Sequence, residues 1–127
     1  MFIAFVFVAI CSVLMRGATF EDFTAALNQV EASGRRGAIL GDGGKALGPL
    51  QINRAYFKDS GTRGDYQRCA EYPFACDVVR NYLRRYAKRE LEKRDWKACA
   101  RIHNGGPRGC MRKSTIGYWK KVKTHLA

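Results

Sequence analysis

Among the 11 carboxylates of this chain, only two flank a glycine-lined stretch: Glu31 in "VEASG" and Asp42 in "GDGGKALGPLQI". Such a pair suits cleavage of a glycosidic bond, in which one carboxylic acid protonates the leaving oxygen and a second carboxylate acts as nucleophile or base. The two jobs need different surroundings. The acid must hold its proton near neutral pH, which partial burial achieves by penalising the charged form, while its partner stays ionised in a polar setting. Glu31 near a helix end that packs on the core, and Asp42 in a polar turn, fit that division. The competing reading is a solvent-facing helix end and an ordinary Asp-Gly turn.

The other acids have plainer assignments. Glu21, Asp22 and Asp95 sit at helix starts, where negative charge is favourable. Asp77, Glu90 and Glu92 lie among Arg and Lys as solvated ion pairs, and Asp59, Asp65 and Glu71 fall in polar loops. His103 in "RIHNGGPRGC" stands beside a Gly-Gly-Pro loop, as a site residue or as a packed structural histidine. Ser33, Ser60 and Ser114 have no neighbouring base to activate them, and no CxxC spacing suggests zinc, so neither a metal nor an organic cofactor is expected.

The elements that must position these groups can be read from periodicity. Thr19 and Asp22 resemble a capping box, and Phe20, Phe23, Leu27 and Val30 recur at helical spacing, so residues 20 to 32 read as an amphipathic helix stopped at Gly34. Short apolar stretches around "GDGG" read as one β-hairpin, followed by a short helix at "NRAYFKD". Phe74, Val78, Tyr82 and Tyr86 form the stripe of a long central helix whose other face carries Arg80, Arg84, Arg85, Lys88 and Arg89. A further helix starts at Asp95 and stops at Gly105 or Gly106 before Pro107, and a last one begins near Ser114. The expected class is α+β, a small helix-dominated domain with one short hairpin.

A length of 127 residues suits one domain. The apolar stretch Phe2 to Met15 is too short to span a bilayer but fits a secretory leader, cleaved near Ala18, leaving a domain over 19–127 in the extracellular space or a lysosomal or digestive lumen. Stable membrane insertion is not expected. Loss of the leader removes Cys11 and leaves Cys69, Cys76, Cys99 and Cys110, an even set that reads as two disulfides in an oxidising compartment. The pairing is open, with Cys99 to Cys110 favoured as a local link. A formal charge of +12 points to anionic partners such as cell-wall polymers, while export and the lack of a nucleic-acid motif argue against nucleic acid.

In order and spacing, "VEASG", "GDGGKALGPLQI", "NYLRRYA", "ARIHNGGPRGC" and "YWKKV" resemble the invertebrate-type (i-type) lysozymes, or destabilase family, over roughly residues 26 to 122. The resemblance implies a lysozyme-like α+β domain and a secreted, bacteriolytic muramidase that hydrolyses the β-1,4 bond between N-acetylmuramic acid and N-acetylglucosamine in bacterial peptidoglycan. It further implies that Glu31 is the general acid and Asp42 the second carboxylate, with Gln51, His103 and Asn104 lining the substrate groove. Only Cys69 and Cys110 match family cysteines. Lys45 stands where members that also cleave isopeptide bonds carry a serine, which implies a muramidase without that second activity. Two rivals stay open: a cationic antimicrobial or wall-binding protein without turnover, and a lytic transglycosylase, which would not need Asp42.

Overall fold

The computed structural model describes residues 17–126; the apolar stretch Phe2 to Met15 and Cys11 lie outside the described residues. Helix α1 (Phe20–Ala32) opens with the capping box anticipated from Thr19 and Asp22. The Asp22 amide donates to Thr19 Oγ1 at 3.2 Å, and the Thr19 amide donates to Asp22 Oδ2 at 2.8 Å. It stops one residue earlier than Gly34, with Ser33 itself in the left-handed region at φ 53°.

The hairpin is present and extends to a third strand. β1 (Leu40–Gly41), β2 (Ala46–Leu47) and β3 (Ile52–Asn53) pair antiparallel in that order, with Leu40 opposite Leu47 and Leu47 opposite Ile52. Gly48 makes the turn into β3 possible: its φ is 86°, and a Cβ there would collide with the Cys69 carbonyl.

Five more helices complete the domain: α2 (Arg54–Ser60), α3 (Tyr72–Tyr86), α4 (Lys88–Glu92), α5 (Trp96–Gly105) and α6 (Ser114–Thr124). The predicted central helix is shorter than its basic stripe suggested. Ala87 leaves helical geometry at φ −145° and ψ 41°, so Lys88 and Arg89 belong to α4, set apart from Arg80, Arg84 and Arg85. No Gly or Pro marks that break. Ala87 is buried, and its amide closes the last turn of α3 on Leu83 while its carbonyl opens α4 by accepting from Leu91.

The core lies where α1, the sheet and α3 meet α5 and α6. Phe23 and Leu27, Leu50 and Ile52, Val78, Val79 and Leu83, and Val122 are all withdrawn from solvent. Phe23 also stacks on Trp96, centroid to centroid 4.8 Å.

The expected disulfides are not formed. Cys69 and Cys99 are buried free thiols, Cys76 is half-buried and Cys110 exposed, each on a different element. Burial pushes the Cys69 thiol up to about 11 and the Cys99 thiol up to about 12, so these two are packed hydrophobes rather than nucleophiles.

One buried amide ties helix to sheet. Asn28 Nδ2 donates to the Arg35 carbonyl at 2.9 Å and to the Pro49 carbonyl at 3.0 Å. Truncation would strand both carbonyls, so Asn28→Ala should lower the unfolding free energy by about 2 kcal/mol. A denaturant melt within about 0.5 kcal/mol of the parent, the range of an ordinary surface change, would contradict this.

Candidate active site

α1 presents Glu31 from its last turn, and the hairpin tip presents Asp42. Asp42, Gly43 and Gly44 all take positive φ, at 52°, 64° and 87°. Asp is among the few non-glycine residues that tolerate this region, and the tip leaves its carboxylate exposed. Between helix end and tip lies a cleft of about 340 Å³, lined by Glu31, Asp42, Gln51, His103 and Asn104 together with Asn53 and Tyr56. All five residues named from the sequence therefore meet in one place. A second recess of about 470 Å³ shares Asp42 and Asn53 with the first, so the groove runs on past the tip.

The two carboxylates sit in contrasting surroundings. The Glu31 side chain is 23% exposed, and burial raises its pKa above the usual carboxylate value. A hydrogen bond of 2.8 Å from the Tyr118 hydroxyl to Oε1 works against that rise by favouring the ionised form.

His103 is more deeply enclosed, its side chain 6% exposed, and burial pulls its pKa down to about 4. The imidazole is therefore neutral at pH 7, and its approach of Nε2 to Glu31 Oε1 at 3.9 Å is a polar contact, not an ion pair. A cationic ring there would stabilise the carboxylate and pull the Glu31 pKa down; a neutral ring lets desolvation dominate.

The Tyr56 hydroxyl lies 2.7 Å from His103 Nδ1. Burial holds this phenol protonated well beyond its ordinary range. When the phenol donates to Nδ1, the imidazole proton sits on Nε2, facing Glu31. Tyr56 in turn stacks on Tyr82 at 3.8 Å between centroids, which fixes the orientation of the whole row.

Gln51 lines the cleft but spends its amide nitrogen on the loop, donating to Ile39 and Gly48 carbonyls at 3.1 and 2.9 Å. Its Oε1 occupies the space a side chain at Gly41 would need. Asn104 is exposed at the end of α5, free to meet a ligand. Among the described residues no three His, Cys, Asp or Glu side chains come together as metal ligands.

Two members of the site, Tyr56 and Tyr118, escaped the sequence reading, which placed most aromatics on core-facing stripes. Tyr118 lies 87 positions from Glu31, and nothing local marks the contact. The usable signal was chemical: a phenol packed in a core still needs a partner for its hydroxyl.

The profile of the destabilase family matches residues 26–125. A 32% identity joins the chain to invertebrate-type lysozyme 6 of Caenorhabditis elegans over 92% of this chain and 96% of that protein. Lysozyme 1 of Crassostrea virginica is 46% identical over 61% of this chain; the match spans less than half of that longer protein, 44% of its length. In solved structures, the lysozyme of Meretrix lusoria, crystallised in complex with PliI of Aeromonas hydrophila, superposes with a TM-score of 0.70 at 32% identity. That match covers 86% of this chain and 93% of the other.

The opposition between burial and Tyr118 gives a direct test. In Tyr118→Phe the bond that favours the charged form is lost while burial remains, so the Glu31 carboxyl should titrate at higher pH than in the parent. NMR titration of its side-chain carbon reads this, and a midpoint that stays or falls would refute the assignment.

Proposed function

We propose that this chain, which belongs to the destabilase family, is a muramidase that hydrolyses the β-1,4 bond between N-acetylmuramic acid and N-acetylglucosamine in bacterial peptidoglycan. The observation that carries the proposal is the contrast between a half-buried Glu31 with a raised pKa and an exposed Asp42 facing it across one cleft. Glu31 enters the reaction protonated and gives its proton to the departing glycosidic oxygen. Asp42 stabilises the oxocarbenium-like carbon or attacks it, and water completes the turnover with Glu31 now acting as base.

The remaining residues act on these two. Neutral His103, oriented by Tyr56, keeps positive charge away from Glu31 during protonation. Tyr118 can hold the carboxylate once its proton has gone, a hydrogen bond that strengthens as charge develops. Gln51 fixes the loop that carries Asp42, and Asn104 and Asn53 offer amides to the sugar. With a leader over residues 1–18, the enzyme would act outside the cell or in a digestive or lysosomal lumen, where a charge of +11, the +12 of the whole chain less Arg16, draws it to anionic wall polymers.

Glu31→Gln and Asp42→Asn should each lower release of hydrolysed muropeptides from purified peptidoglycan by at least a hundredfold, the lower range for general acid catalysis, while the folded proteins still bind the wall. Turnover unaffected by Asp42→Asn, with anhydro-sugar products by mass, would indicate a lytic transglycosylase. Absence of turnover in the parent would indicate a wall-binding protein. Lys45 follows the tip where a nucleophile would be needed for isopeptide cleavage. Lysine release from an isopeptide model substrate should therefore stay at background; release at a rate comparable with wall lysis would overturn that reading.

A further inference from the structure

A larger cavity, of about 660 Å³, opens at the other end of α1, between its first turn and helices α3, α4 and α5. Arg80, Arg84, Lys88 and Arg94 line it, against the two acids Glu21 and Glu92. Phe20, Leu91 and Trp96 supply its apolar wall. It takes no part in the chemistry at Glu31.

Two of the cations are held in ways their own packing does not reward. Among the described residues, Arg80 Nε is buried with no hydrogen-bond acceptor, although its guanidinium lies 4.4 Å over the Phe20 ring. Its nearest carboxylate, Glu21 Oε1, stands 3.6 Å from the far nitrogen Nη2. A buried donor left unpaired costs free energy, so the side chain is held at this wall at a cost, with its exposed guanidinium end left to meet an acceptor in the cavity.

Arg94 occupies the left-handed residue after α4, φ 54°. The Asp95 amide donates to Glu90 and the Arg94 amide to Leu91, the paired bonds of a Schellman stop, where glycine is the favoured residue. A long cation has been placed there at a backbone cost glycine would avoid.

An excess of guanidinium groups around apolar wall residues matches an anion carried on a C–H-rich skeleton. Arginine forks bind phosphate oxygens in pairs, and the half-buried Phe20 and Leu91 leave apolar surface for the carbon side of a sugar or polyol. We propose that this cavity is an exosite for sugar- or polyol-phosphate, the repeating unit of phosphodiester-linked bacterial wall polymers. Identifying the wall as source rests on the muramidase reading; the binding chemistry does not. A bilayer is the poorer occupant, because the apolar residues lie inside the recess, with Trp96 only 8% exposed. The large exposed hydrophobics, Leu40, Met111 and Ile116, are not among the residues that line it. Helix α1, 13 residues and about 20 Å long, separates the cavity from Glu31. A polymer seated here would hold the enzyme to the wall without entering the cleft.

The test is calorimetric titration of the full chain with a glycerol phosphate oligomer. Saturable, salt-weakened binding is expected, with Arg80→Gln and Arg94→Gly each reducing affinity about tenfold, the scale of one charge-assisted contact. Arg94→Gly should melt no lower than the parent, since glycine suits that backbone, so its loss of binding cannot be ascribed to unfolding. Glu31→Gln should bind as the parent does, which separates this site from the cleft and is readable whether or not the protein turns over peptidoglycan. Inorganic phosphate should bind more weakly than the oligomer. The proposal fails if the oligomer does not bind, if both arginine variants bind like the parent, if Glu31→Gln abolishes binding, if phosphate alone binds as tightly, or if phosphatidylglycerol vesicles bind and the oligomer does not.

Discussion

A single buried side-chain amide, Asn28, sets the geometry on which the candidate site depends. It belongs to the helix that carries Glu31, and its two bonds reach the chain leaving that helix and the loop leaving the hairpin. Both carboxylates are thereby referred to one internal anchor. Strands of two residues each cannot hold a hairpin tip in place by ladder bonds alone. The Gln51 amide, bonded to the carbonyls of Ile39 and Gly48, adds a second brace across the same loop. Catalytic placement on a sheet this small is a matter of side-chain amides fastening backbone carbonyls.

Within that frame the protonation of Glu31 depends on a balance of desolvation against hydrogen bonding. Burial holds the proton on Glu31 more tightly than water would, and the Tyr118 hydroxyl moderates that by favouring the ionised form. His103 is kept neutral by enclosure, with Nδ1 turned to the Tyr56 hydroxyl and Nε2 to the Glu31 carboxyl. The row Tyr82, Tyr56, His103, Glu31 and Tyr118 draws on five helices, α3, α2, α5, α1 and α6 in turn, so helix packing and proton affinity are coupled.

Much of this was legible in the chain. The capping box at Thr19, the Asp95 start and the Gly106 stop are local devices, written in adjacent residues and read without tertiary information. The meeting of Glu31, Asp42, Gln51, His103 and Asn104 came from family resemblance and is matched by one cleft. Hidden features are those decided at long range. Ala87 breaks the helical stripe although alanine has the highest helix propensity, so nothing local marks the stop. Tyr118 looked like core because its ring is core; only its hydroxyl belongs to the site. The four cysteines beyond Cys11 make an even set, yet evenness says nothing of whether the elements bring sulfurs together, and here they remain thiols.

Those thiols have a consequence for how the chain reaches its fold. With no crosslink among the described cysteines, loop closure by sulfur does not limit the unfolded ensemble, and packing and hydrogen bonds must offset its entropy. Nothing in refolding then waits on sulfur oxidation or reshuffling, steps that run from seconds to hours. What remains among the described residues is helix formation and the docking of three short strands.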